Sequence, residues 1–347
     1  MSLKQYLSDI KNLILFFKVR KTKKIFFCEN QYYYEYLKHY IERNSLREKI
    51  LIISLQKLNF ENQNKNKINI FFKTNFCAEL VFLLLAGKYL FTTTPDLNKS
   101  FFKKTIVSTT KYFYIQHSQI SLHMGYRKDA FDAFDAVQVL NCFQEKEINY
   151  IKKLKNLKLK VFRGYYHFLE NFNIKSSDTK KHILIAPTWN TNFYKEKLHL
   201  KILKLANKLN LDCILRPHPM TLKKKEIDLN ELKNIKFKID IAPLANLTAN
   251  TILISDWSGI FIEYTLLHKK KCILINTDKK ILNSNYQFSQ LTPIEIFLRN
   301  KFAKTFEIGE IDLITNLILE MSLEKKENKF KIDIKLEDLK KFFFMKY

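Results

Sequence analysis

Short apolar runs alternate along the chain with stretches in which apolar residues recur every three or four positions. Lys24–Cys28 and Ile50–Ser54 read as strands, and Tyr32–Arg43 between them reads as a helix. Ile68–Phe72, Cys77–Leu85 and Tyr89–Thr93 continue the alternation. Tyr112–Gln116 and Ala136–Asn141 read as further strands, followed by a helix over Gln144–Leu157 and a strand over Lys158–Phe162. Alternation of this kind predicts parallel sheets with helices on both faces.

The pattern breaks at Gly164–Lys181, whose polar centre, Asn171–Lys180, reads as a linker. It restarts with a strand at His182–Ala186 and a helix over Phe193–Leu209. A strand at Leu211–Leu215 then runs into Arg216-Pro217-His218-Pro219. A short helix at Ile241–Leu247, a strand at Thr251–Ser255, a helix at Gly259–Leu267 and a strand at Lys271–Asn276 complete this half. A length of 347 residues suits two such units. The expected organisation is a domain at 1–165, a linker at 166–181 and a nucleotide-binding domain at 182–347. The expected fold class is α/β and GT-B-like, with two Rossmann-like domains facing a central cleft.

Charge narrows the partners. The formal net charge is +26, which favours polyanions: nucleic acid, anionic lipid or phosphorylated small molecules. The lysines are dispersed, and neither a zinc-finger spacing nor an aromatic RNP-like strand occurs, so no nucleic acid is expected. Five cysteines without a C-x-x-C pair read as free thiols in a reducing compartment. The segment Met1–Lys18 places Leu3, Tyr6, Leu7, Ile10, Leu13, Ile14 and Phe17 at helical spacing, with Lys4, Lys11, Lys18, Arg20 and Lys21 around them. It reads as a basic helix on an anionic membrane surface, or else as an ordinary packed helix. No secretory pattern and no run of about 18 apolar residues occurs. The expected location is cytoplasmic, peripheral on the inner face of the cytoplasmic membrane.

Four strand ends carry candidate chemistry. At Ser255-Asp256-Trp257-Ser258-Gly259 an apolar strand gives way to a helix whose first N–H groups suit a pyrophosphate. Ser258 adds a hydroxyl, and Glu263, about one turn on, suits a ribose. Ser255 and Asp256 are candidate helix-cap and phosphate residues. At Arg216-Pro217-His218-Pro219 two prolines stiffen the turn, so that Arg216 and His218 either bind phosphate or form a rigid exposed turn. Tyr114-Ile115-Gln116-His117-Ser118, followed by His123, offers two histidines as candidate bases. Ala186-Pro187-Thr188-Trp189-Asn190 offers the Thr188 hydroxyl and an indole, or simply ends a strand. There is no phosphate-binding G-x-x-x-x-G-K-[ST] loop, no G-x-G-x-x-G fingerprint and no cluster suited to a metal, so no metal and no cofactor are expected.

In this order, the Gln116-His117, Ala186-Pro187-Thr188-Trp189, Arg216-Pro217-His218-Pro219 and Ser255-Asp256-Trp257-Ser258 motifs, with Glu263, resemble the CDP-glycerol glycerophosphotransferase family. The resemblance is to its teichoic-acid primase and polymerase type and covers roughly residues 110–280. It implies a GT-B fold and transfer of glycerol phosphate from CDP-glycerol to a hydroxyl. It implies His117 as base, Arg216, His218 and Ser258 as phosphate ligands, and Glu263 on the ribose. The chain departs from the family twice: His117-Ser118 stands for the usual His-Gly, and Asp-Trp-Ser-Gly for the usual Asp-Tyr-Ser-Ser.

The expected function is therefore a transferase moving a polyol phosphate from a CDP-activated donor to a polysaccharide or lipid-linked acceptor, with release of CMP. Thr188 and Gly259 join the donor-binding set, and His117 or His123 supplies the base. The same fold also serves transferases that use nucleotide sugars in capsule or lipooligosaccharide synthesis, and epimerases. A non-catalytic polyanion-binding protein is the alternative from another class.

Overall fold

The computed structural model describes residues 3–61, 64–99, 101–170, 181–241, 247–323, 339 and 341–344. Two compact units account for the chain. The first is Met1–His117, Tyr126–Asn171 and Lys340–Tyr347; the second is Ser118–Gly125 and Phe172–Leu339. The loop Ser118–Gly125 thus belongs with the second unit, although the expected boundary placed it in the first.

The first unit contains, in chain order, α1 (Leu3–Val19), β1 (Lys24–Cys28), α2 (Gln31–Ser45), β2 (Ile50–Ser54), β3 (Lys67–Phe71), α3 (Asn75–Leu83) and β4 (Tyr89–Thr92). It continues with β5 (Lys111–Tyr114), β6 (Ala136–Val139), α4 (Cys142–Leu154), β7 (Lys160–Arg163) and α5 (His167–Glu170). Its seven strands lie in the order β3-β2-β1-β4-β5-β6-β7, and every pairing is parallel. All five residues of β2 are buried, as befits a strand covered on both faces. Polar residues mark where helices start. Asn30 accepts from Tyr33 N at α2, Thr74 from Cys77 N at α3, and Asn141 from Gln144 N at α4.

The helix α1 presents two different faces. Phe16 is fully buried, and the buried Asp9 carboxylate accepts from Lys73 N at 3.0 Å, Thr74 N at 3.1 Å and Thr74 Oγ1 at 2.8 Å. On an adjoining face Ile10, Ile14 and Phe17 are 51%, 57% and 51% exposed. Their i, i+4, i+7 spacing makes a continuous apolar stripe. Among the described residues no helix is long and apolar enough to cross a membrane.

The second unit contains β8 (His182–Ile185), α6 (Leu198–Lys208), β9 (Asp212–Leu215), α7 (Pro219–Lys223), β10 (Lys238–Ile239) and β11 (Thr251–Ser255). It continues with α8 (Ile260–His268), β12 (Cys272–Asn276), α9 (Ile294–Phe302), β13 (Ala303–Glu307) and α10 (Ile311–Leu323). The strand order is β10-β9-β8-β11-β12-β13, again parallel throughout. Ile183, Ile185, Ile252, Ile254 and Ile273 from the strands pack with Ile202, Leu203 and Ile318 from the helices. Both sheets reverse their strand order beside the first strand, at β1/β4 and at β8/β11, which is where open α/β sheets hold ligands.

Some expectations shift. The helix expected over Phe193–Leu209 starts only at Leu198, because Lys197 takes a left-handed φ of 53°. Phe193 and Tyr194 are buried in the preceding loop, so their apolar spacing reflects burial rather than helix. The expected short helix at Ile241–Leu247 and the linker centre Asn171–Lys180 fall almost entirely outside the described residues. The five cysteines are free thiols, and Cys28, Cys77, Cys213 and Cys272 are buried.

Candidate functional site

The strand ends of the second sheet bring three of the expected motifs to one edge. β8 ends at Ala186-Pro187-Thr188, β9 at Arg216-Pro217-His218 and β11 at Asp256-Trp257-Ser258-Gly259, and these three strands are neighbours. Hydrogen bonds join the loops. Ser255 Oγ donates to Ala186 O at 2.7 Å. Thr188 N donates to Asp256 Oδ1 at 2.7 Å, and Thr191 Oγ1 donates to Asp256 Oδ2 at 2.9 Å. Burial raises the Asp256 carboxyl above the ordinary carboxylate range, against these two donors and the Arg299 charge.

This geometry corrects the capping role expected of Ser255 and Asp256. The N-cap of α8 is Gly259, and no side chain caps the helix. Ser255 and Asp256 face the β8 loop instead, because the chain turns over Trp257 and Ser258 before the helix begins. Among the described residues the backbone N–H groups of Gly259, Ile260 and Phe261 have no hydrogen-bond partner. With the helix dipole, they leave an uncapped positive end at α8. Ser258 stands beside it, partly exposed, and Glu263 is buried in the first turn.

Arg216 is buried, at 8% exposure. Its Nη2 donates to Asp240 Oδ2 at 2.8 Å, while Nε and Nη1 are buried without a partner among the described residues. Two orphaned guanidinium donors cost stability unless something accepts from them. The neighbouring His218 caps α7: its Nδ1 accepts from Met220 N at 3.0 Å. Nδ1 is therefore unprotonated, and the neutral ring carries its proton on Nε2.

The two histidines of the third motif have different surroundings. His117 lies in the first unit, partly exposed, with its ring near Tyr33 (5.4 Å), Tyr36 (5.8 Å) and Tyr126 (6.2 Å). Its Nδ1 is 3.2 Å from Tyr114 OH, which donates its own proton to Tyr126 OH at 3.1 Å. With Nδ1 protonated toward Tyr114 OH, Nε2 would carry the basic lone pair.

His123 does not meet the expectation of a base. It is buried in the second unit, where Nε2 donates to Leu291 O at 3.2 Å and Nδ1 accepts from Ser121 Oγ at 3.0 Å. Both ring nitrogens hold the loop. Ser121 N, donating to Glu295 Oε1 at 3.0 Å, and Asn283 Nδ2, donating to His123 O at 2.8 Å, hold it too.

Sequence reasoning missed several charged residues at this edge. Arg299, on α9, donates to Asp256 O at 2.7 Å, Ile275 O at 2.8 Å and Asn276 Oδ1 at 2.9 Å. Its guanidinium lies 4.1 Å from the Trp257 ring centre, and burial lowers its pKa to about 10. Lys280 follows β12, and Asp240 partners Arg216. One signal was present for Lys280, its place just past a strand, but in a chain with 60 Lys and Arg it looks like solvated surface.

Residues 163–280 match the model of the CDP-glycerol:poly(glycerophosphate) glycerophosphotransferase family. The chain is a transferase similar to the CDP-glycerol glycerophosphotransferases. The matched segment contains Thr188, Arg216, His218, Ser258, Gly259 and Glu263. No curated protein matches the sequence. Among solved structures, the wall teichoic acid polymerase TagF aligns at 12% identity over 93% of this chain and 92% of its own, with a TM-score of 0.51. The UDP-GlcNAc 2-epimerase of Methanocaldococcus jannaschii aligns at 14% identity over 92% and 97%, with a TM-score of 0.51. The MnaA–UDP co-structure from S. aureus aligns at 12% over 88% and 89%, also with a TM-score of 0.51. At these identities the likeness is one of fold, and the fold is GT-B-like.

Proposed function

We propose that this chain transfers glycerol phosphate from CDP-glycerol to a hydroxyl of a polysaccharide or lipid-linked acceptor and releases CMP. The observation that carries the reading is the buried Arg216, inside the segment matched to the glycerophosphotransferases, whose Nε and Nη1 lack partners among the described residues. Each of these N–H groups can donate to a phosphate oxygen. His218 Nε2–H, the Ser258 hydroxyl and the uncapped start of α8 at Gly259 add donors, with Thr188 beside them. Glu263 is assigned to the ribose.

In the proposed step, His117 Nε2 takes the proton of the acceptor hydroxyl. The oxygen attacks the phosphorus that bears glycerol, the bond from that phosphorus to the bridging oxygen breaks, and CMP leaves with the electron pair. The proton on His117 then passes to solvent. The donors at the second sheet stabilise charge on the transferring phosphoryl group, which is the main requirement in such reactions. We assign the chain to the inner face of the cytoplasmic membrane, where the Ile10, Ile14 and Phe17 stripe beside Lys11 and Lys18 suits an anionic surface.

A donor screen with the purified protein tests this reading. CDP-glycerol should be consumed in preference to CDP-ribitol and to UDP or GDP sugars. Consumption of a nucleotide sugar alone, with CDP-glycerol inert, would favour the glycosyltransferase alternative.

A further inference from the structure

The carboxyl edge of the second sheet carries two cations that the reading above leaves unused. Lys224 Nζ lies 4.4 Å from the centre of the Trp189 ring, and Lys280 Nζ lies 5.0 Å from it. Both are within the range of cation–π attraction. Lys224 follows α7 on the β9 side of β8, and Lys280 follows β12 on the β11 side. The two lysines therefore reach the indole from opposite directions in the strand order. The His218 ring is 6.1 Å from the same indole.

Neither ammonium has a carboxylate or carbonyl partner among the described residues. Other lysines of the unit do, such as Lys197 with Glu231 at 3.0 Å. Two like charges at one indole repel each other, and an anion between them removes that cost. On the neighbouring loop Arg216 presents its two unpartnered donors. Two ammonium groups without an ion-pair contact among the described residues, and Arg216 with two further donors, thus stand along one sheet edge.

We propose that Lys280 and Lys224 bind the diphosphate of the donor, with Trp189 holding both ammonium groups in place beside Arg216 and His218. The assignment rests on the reading of the chain as a transferase with a nucleotide diphosphate donor. Lys280 is the pH-sensitive member. Burial lowers its pKa to about 8, with Asp256 and Glu295 acting in the opposite direction. The charged and titratable groups around it are Asp256 after β11, Glu295 on α9, and His218 and Lys224 on the β9 side. Below about pH 8 Lys280 is a cation that binds diphosphate; above it the charge, and with it the attraction, is lost.

Calorimetric titration of the full chain with inorganic pyrophosphate and with CDP tests the proposal, with thermal unfolding to confirm that each variant is folded. Lys280→Ala should weaken both ligands about 10-fold near pH 7, and Lys224→Ala should weaken both in the same direction. Wild-type affinity should fall between about pH 7 and about pH 9, whereas Lys280→Arg, which stays charged, should bind well and lose that fall. Wild-type affinities in both alanine variants, superimposable pH profiles for wild type and Lys280→Arg, or no binding of any diphosphate by the wild type would each overturn the proposal. If a UDP sugar binds with the same dependence on Lys280 while CDP-glycerol does not, the donor reading fails and the lysine assignment stands.

Discussion

Ser118 Oγ lies 2.7 Å from the point where a Cβ on Gly259 would sit, and Ile120 Cγ2 lies at the same distance. No side chain fits at 259 unless the loop moves. These two positions are also where the chain departs from the motifs it otherwise resembles, with Ser118 in place of glycine and Gly259 in place of serine. The hydroxyl missing from the start of α8 is replaced in space by one from the loop Ser118–Gly125. Gly259→Ser should therefore destabilise the second unit by about 1–3 kcal/mol, as overpacking does. Adding Ser118→Gly should recover part of the loss, with Ile120 keeping the rest. Denaturant melts of the two single variants and the double variant measure the coupling; strictly additive losses would show that the two positions are independent.

Two proposed contributions of Arg216 can be separated, because it pairs with Asp240 and has two donors without a partner among the described residues. Arg216→Ala should cost about 1–3 kcal/mol of stability, since Asp240 loses its partner, and should weaken CDP-glycerol binding at least about 10-fold. Asp240→Asn keeps an acceptor for Nη2 and should leave donor binding nearly intact. Urea melts and calorimetric titration read the two effects; unchanged affinity in Arg216→Ala would leave Arg216 a structural residue only.

Much of this was legible in the sequence, and the rest was hidden for physical reasons. β1, β2, β8, β11 and β12 are short apolar runs buried on both faces, so periodicity found them within a residue or two. The β8, β9 and β11 ends were legible because a ligand edge needs Arg, His and small residues just past an apolar strand. The loop containing Ser118 and His123 groups with the second unit, although the alternation of elements points to the first, since its partners, Glu295, Leu291 and Asn283, lie some 160 residues or more away in the chain. Local sequence carries no record of such pairings. Asp256 read as a helix cap because Ser-Asp before a helix usually caps it; its tie to Thr188 forms only when β8 and β11 pair.

The two histidines should separate by kind of defect. His117→Ala should lose turnover by about 10²–10⁴-fold while CDP-glycerol still binds, as expected for a positioned base. His123→Ala should instead lose stability by about 1–3 kcal/mol, because Leu291 O and Ser121 Oγ lose their partner. Single-turnover rates, titrations and melts on both variants check this. Normal turnover in His117→Ala would remove it as the base.

Membrane association should follow the exposed stripe of α1. Truncating Met1–Lys18 would also remove Asp9, which holds Lys73 and Thr74, so substitution is the cleaner test. Ile14→Glu with Phe17→Glu should weaken binding to vesicles rich in anionic lipid at least about 10-fold without altering the melt. Added salt should weaken wild-type binding, because part of it is electrostatic. Vesicle sedimentation measures both; equal binding by the double variant would move the interaction to another surface.

Phosphoryl transfer is tested most directly by its product. The purified chain should be incubated with CDP-glycerol and a lipid-linked or polysaccharide acceptor, and the products followed by phosphorus NMR. One CMP should be released for each glycerol phosphate joined to the acceptor in a new phosphodiester. Intact CDP-glycerol, with a nucleotide sugar in the same assay consumed and its nucleoside diphosphate released, would overturn glycerol phosphate transfer.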